Sequence, residues 1–244
     1  MKFNSILKKL DWKLNEIPPK STVTFLNPYS YYLTRNVKKL EEIDFIGIDG
    51  GLLKSIINLF FNLEIDRISF DNSSLAPKLY NYCVDKNKSI YFIGSTSYNI
   101  EAFIDVLKAE ACNLSIVGYR HGYFASSKQR EGVLRTISKL NPDYVIVGMG
   151  TPFQENFILE LKQAGYKGVA FTCGGYFHQT AKAFNYYPYF YDKFNLRWFY
   201  RIIDEPKLIK RYLIFYPKSL FFIFLDLLRY KFLGSSSLNF NKEK

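Results

Sequence analysis

The sequence has 244 residues, the size of one large domain or of one domain with an appendage. Its apolar fraction of 48% and aromatic fraction of 18% exclude a disordered chain. Lys and Arg number 33 against 22 Asp and Glu, a net charge of +11, so an anionic partner is expected. Nucleic acid, an anionic membrane and a phosphorylated small molecule all fit that charge.

The cysteines and the apolar segments bear on where in the cell the protein is expected to be. Cys83, Cys112 and Cys173 form no Cys-x-x-Cys pair, which excludes a zinc ribbon and a disulfide framework and predicts a reduced, cytoplasmic protein. Charges within residues 8–13 interrupt the apolar start, so no secretory leader is expected. Residues 213–228 are also interrupted, and they fall short of the roughly 20 apolar residues of a spanning helix.

The chain order of patterns predicts an α/β fold. Residues 1–18 place apolar side chains at helical spacing, which predicts an N-terminal amphipathic helix. From position 22 to 172, β-branched and aromatic runs alternate with helical segments, which predicts a Rossmann-like, mostly parallel sheet flanked by helices. The predicted strands are Thr22–Leu26, Phe45–Ile48, Arg67–Phe70, Ser89–Ile93, Leu114–Gly118, Tyr144–Val147 and Gly168–Phe171.

The composition changes near residue 186, which divides the chain into a core of residues 1–189 and an appendage of residues 190–244. The appendage is aromatic and basic, with 11 Lys and Arg against five Asp and Glu, and is predicted to be helical. Aromatic and cationic residues alternate between Trp198 and Tyr212, a mixture that fits a membrane headgroup layer, single-stranded nucleic acid, or a core with a solvated face. The apolar segment at 220–228 favours the membrane interpretation.

Four strands end in turn residues that precede a helix, at 27–28, 49–51, 94–97 and 148–152. In a parallel sheet, ligands bind at the carboxyl ends of the strands, where helix amino termini also point their free N–H groups. These turns are the predicted site, and they include Gly94.

Asp49 ends a strand beside two glycines, so its carboxylate is a candidate general base at this edge. The alternative is an Asp-Gly turn in which the carboxylate only caps the next helix.

The segment Gly148–Glu155 follows a strong strand pattern, and its two glycines would let a phosphate approach the backbone. The same segment fits a capping box with Thr151 as N-cap, Pro152 at the first helical position and Gln154 at the third. It lacks the Gly-Lys-Ser/Thr of a phosphate-binding P-loop and the third glycine of a dinucleotide fingerprint.

His121 follows another strand and could hydrogen-bond a phosphate or a sugar hydroxyl, although a lone histidine is more often structural. With His178 as the second of two histidines, and with no Asp-x-Asp pair, no metal site is expected.

Four motifs in order resemble those of the WecG/TagA/CpsF glycosyltransferases, glycosyltransferase family 26. They are Asp49-Gly50, His121–Phe124, Tyr144–Glu155 and the closing segment from Trp198 to Leu213. The likeness covers residues 20–215. Its specificity lies in the four ordered motifs together.

The resemblance implies an inverting enzyme that moves a sugar from a UDP-sugar to a polyprenyl-diphosphate-linked acceptor on the inner face of the cell membrane, with no metal and no other cofactor. The setting would be surface polysaccharide or teichoic-acid-type synthesis. Nucleic acid is not an expected partner, and a homo-oligomer through the core is compatible with the family. Asp49 would be the base, with Asn27, Gly94, His121, Gly148, Gly150, Gln154 and Glu155 on the donor side and Arg201, Lys210 and Arg211 near the diphosphate.

The sequence departs from the family pattern at positions that bear on the donor. Phe25 stands where a threonine is usual, Arg67–Phe70 lacks an expected glycine, and Arg197 replaces a frequent glutamate. A different donor sugar is therefore expected. A non-catalytic basic protein that binds nucleic acid or nucleotide is the alternative that the charge alone leaves open.

Overall fold

The computed structural model describes residues 3–111, 113–194 and 196–233. Its centre is one six-stranded sheet, parallel throughout, in the order β2-β1-β6-β5-β3-β4. The expected α/β, Rossmann-like class is confirmed. The strands are β1 Thr22–Leu26, β2 Phe45–Ile48, β3 Ser89–Gly94, β4 Ser115–Arg120, β5 Tyr144–Gly148 and β6 Val169–Thr172.

Helices cover both faces of the sheet because its central strands are apolar on both sides. Every residue of β1 and β5 is buried, as expected for parallel strands between two helical layers. Val145 and Val147 belong to one core cluster, while Tyr144 and Ile146 between them belong to the other. The helices are α1 Phe3–Leu7, α2 Pro28–Thr34, α3 Gly51–Phe61, α4 Leu75–Asp85, α5 Ser97–Glu110, α6 Ser127–Leu140, α7 Phe153–Gln163, α8 Tyr176–Lys182, α9 Tyr189–Lys193, α10 Arg197–Asp204 and α11 Tyr216–Leu233.

Six of the seven predicted strands form, and the one at Arg67–Phe70 does not. This segment makes one backbone hydrogen bond to the sheet, from the Ile68 N–H to the Ile48 carbonyl at 3.0 Å. The Arg67 side chain instead binds Asp49 and Asp71. The segment is a link from the sheet to α4, and its β-branched pattern was misleading.

The predicted N-terminal helix over residues 1–18 is also wrong, since the described helix ends at Leu7. Beyond it the chain runs beside edge strand β2, where the Ile46 N–H donates to the Lys9 carbonyl at 2.9 Å. The Trp12 indole N–H donates to the Ile46 carbonyl, also at 2.9 Å. The chain leaves the helix because its backbone and Trp12 cover the open edge of the sheet.

The C-terminal helix α11 is built into the fold through its inner face. Ile223 and Leu227 are buried in the same core cluster as β5. The Asp226 carboxylate accepts hydrogen bonds from Arg35 Nε and Nη2 at 2.9 and 2.8 Å and from the Tyr31 hydroxyl at 2.8 Å. This bidentate pair anchors α11 on α2. Among the described residues, no helix is long and apolar enough to cross a bilayer.

The Asp226 pair predicts a stability effect with a defined pH dependence. Partial burial alone would raise the pKa of Asp226, but hydrogen bonds from Arg35 and Tyr31 hold that pKa below its usual value. The pair therefore stabilises the fold above the pKa of the unfolded carboxyl, and this stability is lost as pH falls through the lowered pKa. Asp226→Ala should cost about 2–3 kcal/mol at neutral pH and lower Tm by roughly 5–10 °C.

Calorimetry at pH 7 and pH 3 measures this effect, and the difference between variant and wild type should shrink at the lower pH. Asp66→Ala is the matched control, because the Asp66 side chain is 96% exposed. An equal loss of Tm in both variants would contradict the anchoring role.

Candidate active site

Asn27 and Asp49 meet at the carboxyl ends of the adjacent strands β1 and β2. Leu26 and Ile48 are register partners, and the Asp49 N–H donates to the Leu26 carbonyl at 2.7 Å. Gly50 has a φ of +112°, and a Cβ built on it would lie 3.6 Å from the Asn27 Cβ. Sheet pairing therefore brings the two polar side chains together, as the strand-end argument predicted.

Arg67 holds Asp49 in place. Its Nη2 lies 3.1 Å from Asp49 Oδ1, 3.2 Å from Asp71 Oδ2 and 2.7 Å from the Ser69 hydroxyl. Burial would lower the pKa of Arg67, but the charges of Asp49 and Asp71 raise it. The Asp49 side chain is 34% exposed, and no described group donates to its Oδ2. One carboxylate oxygen is thus fixed, while the other accepts no hydrogen bond from the described residues.

Sequence reasoning did not select Arg67 as a site residue. The available signal was a cation at the start of a supposed strand with Asp71 four positions later. Read as a strand residue, Arg67 had no visible partner, since Asp49 is 18 positions away.

Asp71 links this cluster to the C-terminal segment. Its Oδ2 accepts from Arg197 Nη1 at 3.1 Å as well as from Arg67. Burial raises the pKa of Asp71, but the Ser73 and Ser69 hydroxyls and the two arginines hold it below its usual value. Helix α10 is therefore attached to the loop that follows Arg67.

The C-terminal segment brings two further cations, Arg201 and Arg211, to this end of the fold. Arg211 Nη2 donates to Asn27 Oδ1 at 3.3 Å, and its guanidinium carbon lies 4.2 Å from the centre of the Tyr29 ring. Arg201 pairs with Glu205 at 3.1 Å. Both arginine Nε–H groups are buried and neither has a hydrogen-bond partner.

Two contacts bring these cations toward Asp49, because Arg211 binds Asn27 and Arg201 lies one helical turn after Arg197, which binds Asp71. Burial raises the pKa of Tyr216, and it senses the charges of Asp49, Arg211 and Arg201 together. We call the region formed by Asn27, Asp49, Arg67, Arg201 and Arg211 the Asp49 crevice. Buried guanidinium donors without a partner are unusual, and they fit an anionic ligand.

A cavity of about 290 Å³ opens next to Asp71, between α8 and the segment that leads into α9. Amide, hydroxyl and aromatic groups line it, which suits a hydroxylated ligand such as a sugar. Its lining includes Asn72, Gln179, Thr180 and Tyr187.

Gly94 and Gly148 pack against each other. They are register partners on β3 and β5, and a Cβ on Gly94 would lie 2.2 Å from the Gly148 carbonyl oxygen. A Cβ on Gly148 would lie 2.8 Å from the Phe177 ring. Gly150, with a φ of +76° and no atom within 4 Å of a built Cβ, is open. Packing explains the first two glycines, while Gly150 leaves its backbone free for a ligand to approach.

Gln154 and Glu155 turn inward beneath this edge. Glu155 Oε1 accepts from Thr24, Thr151 and Gln154, and its buried Oε2 has no partner. Gln154 Oε1 accepts from the Gly174 N–H at 3.1 Å. Burial raises the pKa of Glu155 despite those hydrogen bonds. The two side chains brace the turns after β5 and β6.

The alternative capping box at Thr151 does not form. Helix α7 begins at Phe153, so Pro152 occupies the N-cap position and no side chain caps the helix. The Thr151 hydroxyl is instead used by Glu155.

His121 lies apart from the Asp49 crevice, and Lys210 makes no polar contact with it. His121 follows β4, four strand positions from β1 and therefore about 19 Å across the sheet. Its Nδ1 accepts from the Tyr123 N–H at 3.2 Å, in a local turn. Lys210 is exposed and makes no hydrogen bond or ion pair with the described residues.

Comparison with known proteins identifies the family. Residues 1–233 match the sequence profile of the glycosyl transferase WecG/TagA/CpsF family. The chain belongs to that family.

Two relatives have assigned activities. The chain is 37% identical over 196 residues, 80% of its length and 82% of the relative's, to a Shigella boydii UDP-Gal:alpha-D-GlcNAc-diphosphoundecaprenol beta-1,4-galactosyltransferase. It is 34% identical over 128 residues to a Bacillus subtilis N-acetylglucosaminyldiphosphoundecaprenol N-acetyl-beta-D-mannosaminyltransferase. That second match covers 52% of this chain and 49% of the relative. The family resemblance found in the motifs is confirmed.

Whether this WecG/TagA/CpsF-family protein could bind a metal ion depends on the side chains that could act as metal ligands. Among the described residues, no three His, Cys, Asp or Glu side chains group so that they could hold a metal ion. Metal independence stays a prediction, to be tested with a chelator.

Asp49→Asn should keep the fold and reduce sugar transfer about 100-fold or more, because an amide cannot accept the proton. Steady-state rates with Tm as the fold check measure this effect. Asp66→Asn, at a carboxylate 96% exposed, is the control and should keep wild-type rates. Near-normal transfer by Asp49→Asn would eliminate Asp49 as the base.

Glu155→Gln should be tolerated, because the raised pKa means that burial favours the neutral carboxyl. Wild type loses stability as pH rises from the unfolded pKa toward the raised folded pKa, since Glu155 then carries a disfavoured charge. The variant should match or exceed wild-type Tm at pH 8, with a smaller difference in its favour at pH 4. A variant that is less stable at pH 8 than at pH 4, relative to wild type, would show that Glu155 is held as the anion.

Proposed function

We propose that the protein is an inverting glycosyltransferase that moves a hexose or an N-acetylhexosamine from a UDP-sugar to a polyprenyl-diphosphate-linked sugar. The observation that carries this proposal is the Asp49 crevice, in which a carboxylate that is 34% exposed shares one region with two arginines whose buried Nε–H groups have no hydrogen-bond partner. It combines a proton acceptor with groups that bind a diphosphate.

Asp49 supplies the base. Oδ1 is held by Arg67, and Oδ2 takes the proton from an acceptor hydroxyl. The hydroxyl oxygen attacks the anomeric carbon of the donor as the bond from that carbon to the phosphate oxygen breaks. The bonding electron pair leaves with UDP, and a single displacement inverts the anomeric configuration.

Arg201 and Arg211 stabilise the departing diphosphate. Negative charge grows on the phosphate oxygens during this step. Preorganised hydrogen-bond donors in a partly dry site stabilise that charge, and the loss of one such donor typically costs about 3–4 kcal/mol of transition-state stabilisation. Arg211 is already fixed by Asn27 and Tyr29, and Arg201 by Glu205. The arginines perform the role that a divalent ion has in metal-dependent transferases, so metal-independent transfer is part of the proposal.

The relatives support the acceptor class. The names of the Shigella boydii and Bacillus subtilis enzymes share an N-acetylglucosaminyl-diphosphoundecaprenol acceptor but differ in the sugar transferred. The acceptor is therefore proposed by class, in surface polysaccharide or teichoic-acid-type synthesis, and the sugar stays open between hexose and N-acetylhexosamine.

A lipid acceptor requires access to a bilayer, and α11 supports peripheral association with the inner membrane face. Phe221 and Phe224 are 58% and 59% exposed, while Ile223 and Leu227 of the same helix are buried. Exposed cations such as Lys218 flank them. Apolar side chains beside lysines fit the headgroup boundary of an anionic membrane.

One assay tests the proposal directly. The full chain is incubated with UDP-sugars, a polyprenyl-diphosphate-linked N-acetylglucosamine and EDTA, and transfer is followed by mass spectrometry. We expect one UDP-sugar to be used, with an unchanged rate in the chelator. Absence of transfer with every UDP-sugar, together with salt-sensitive RNA binding, would contradict the proposal and favour the basic binding protein.

Arg201→Ala and Arg211→Ala should each lower kcat/KM by about 100-fold, because each removes charge from the diphosphate. Lysine should rescue Arg211 poorly, since a point charge cannot both stack on Tyr29 and bind Asn27. Lys139→Ala, at an exposed cation of α6, is the control. Unchanged kcat/KM in both arginine variants would remove the appendage from the site.

A further inference from the structure

Helix α3 carries an apolar stripe on its outer side. Leu52, Ile56, Leu59 and Phe60 follow one another at spacings of four, three and one residues, which keeps them within one side of the helix. Leu59 is 88% exposed, Leu52 46% and Phe60 38%, where a surface helix normally carries polar residues. The stripe begins three positions after Asp49 and extends about 12 Å along the helix.

An apolar groove lies at the far end of this stripe, between α3 and α11. It has a volume of about 520 Å³. Its floor is built, because the Phe61 and Tyr230 rings are in edge contact with centroids 5.0 Å apart and Leu227 is 4% exposed. The lining is Ile56, Leu59, Phe60, Phe61, Leu227, Tyr230 and Lys231.

The groove also borders the outward face of α11. Lys231 lines it and lies seven positions, two helical turns, after the exposed Phe224. The apolar surface is therefore continuous from the outer face of α11, through the groove and along α3, to the first turn after Asp49.

We propose that the polyprenyl chain of the lipid-linked acceptor lies in this groove and along the α3 stripe. The inference rests on the proposed function, which puts the acceptor sugar at Asp49. The lining offers hydrocarbon contact with one cation, Lys231, and the backbone groups within both helices are already hydrogen-bonded. A peptide would leave its own backbone groups unsatisfied there, whereas an isoprenoid chain has none to satisfy.

The test uses two acceptors with the same N-acetylglucosaminyl diphosphate head, one on a long polyprenyl chain and one on a short alkyl chain, both in detergent. Leu59→Ser combined with Phe60→Ser should raise KM for the long-chain acceptor about tenfold, ~1.4 kcal/mol. The kcat should not change, and neither should the KM for the short-chain acceptor or the KM for the donor. Val84→Ser combined with Leu140→Ser, at exposed positions of α4 and α6, is the matched control.

A second measurement does not depend on turnover. A polyprenyl diphosphate with a photoreactive group at its hydrocarbon end should label peptides within residues 51–61 and 216–233 in the full chain. Labelling confined to other segments would overturn the inference. Labelling that appears only after removal of residues 234–244 would also overturn it, because the chain's own end would then be the occupant.

The outcomes separate the two proposals. Equal rises in KM for both acceptors would overturn the lipid path while leaving the transferase proposal intact. So would a double variant that loses transfer only when the acceptor is presented in vesicles and that also binds those vesicles more weakly. Failure of wild type to transfer to either acceptor would overturn both.

Discussion

Alternating carboxylates and guanidinium groups join the end of β2 to the C-terminal segment. Asp49, Arg67, Asp71 and Arg197 follow one another at 3.1, 3.2 and 3.1 Å. Each side chain is partly buried, so removal of one of them leaves its neighbour with an uncompensated charge that is poorly solvated. This chain fixes the orientation of Asp49 and the attachment of α10 together, and the crevice depends on both.

A second anchor holds the rest of the appendage. Asp226 clamps α11 to α2, and the inner face of α11 belongs to the main core. Between the two anchors lies the segment that carries Arg201 and Arg211. Part of the basic charge that first suggested an anionic partner therefore belongs to arginines that are held in fixed positions near the strand ends. Phe221 and Phe224 of α11 remain more than half exposed, which is the basis for the proposed membrane association and the proposed lipid path.

The elements that local pattern determines could be predicted from the sequence, and those set by distant contacts could not. Strand β5 and the pairing of Asn27 with Asp49 follow from apolar runs that end in turn residues. Arg67 was missed because Asp49, the partner that places it at the site, lies 18 positions away in the sequence. The inward orientation of Gln154 and Glu155 was also invisible, since it depends on Thr24 and on the turn after β6. The first helix stops at Leu7 because the edge of the sheet needs cover, a requirement that the amphipathic spacing of residues 1–18 does not contain.

The central claim is that the Asp49 crevice binds a diphosphate through protein cations alone. Calorimetric titration of the full chain with UDP and with uridine, both in EDTA, tests it most directly. The account predicts that UDP binds at least about tenfold more tightly than uridine, a difference of ~1.4 kcal/mol or more. Equal affinities, or UDP binding that appears only when a divalent ion is added, would contradict it.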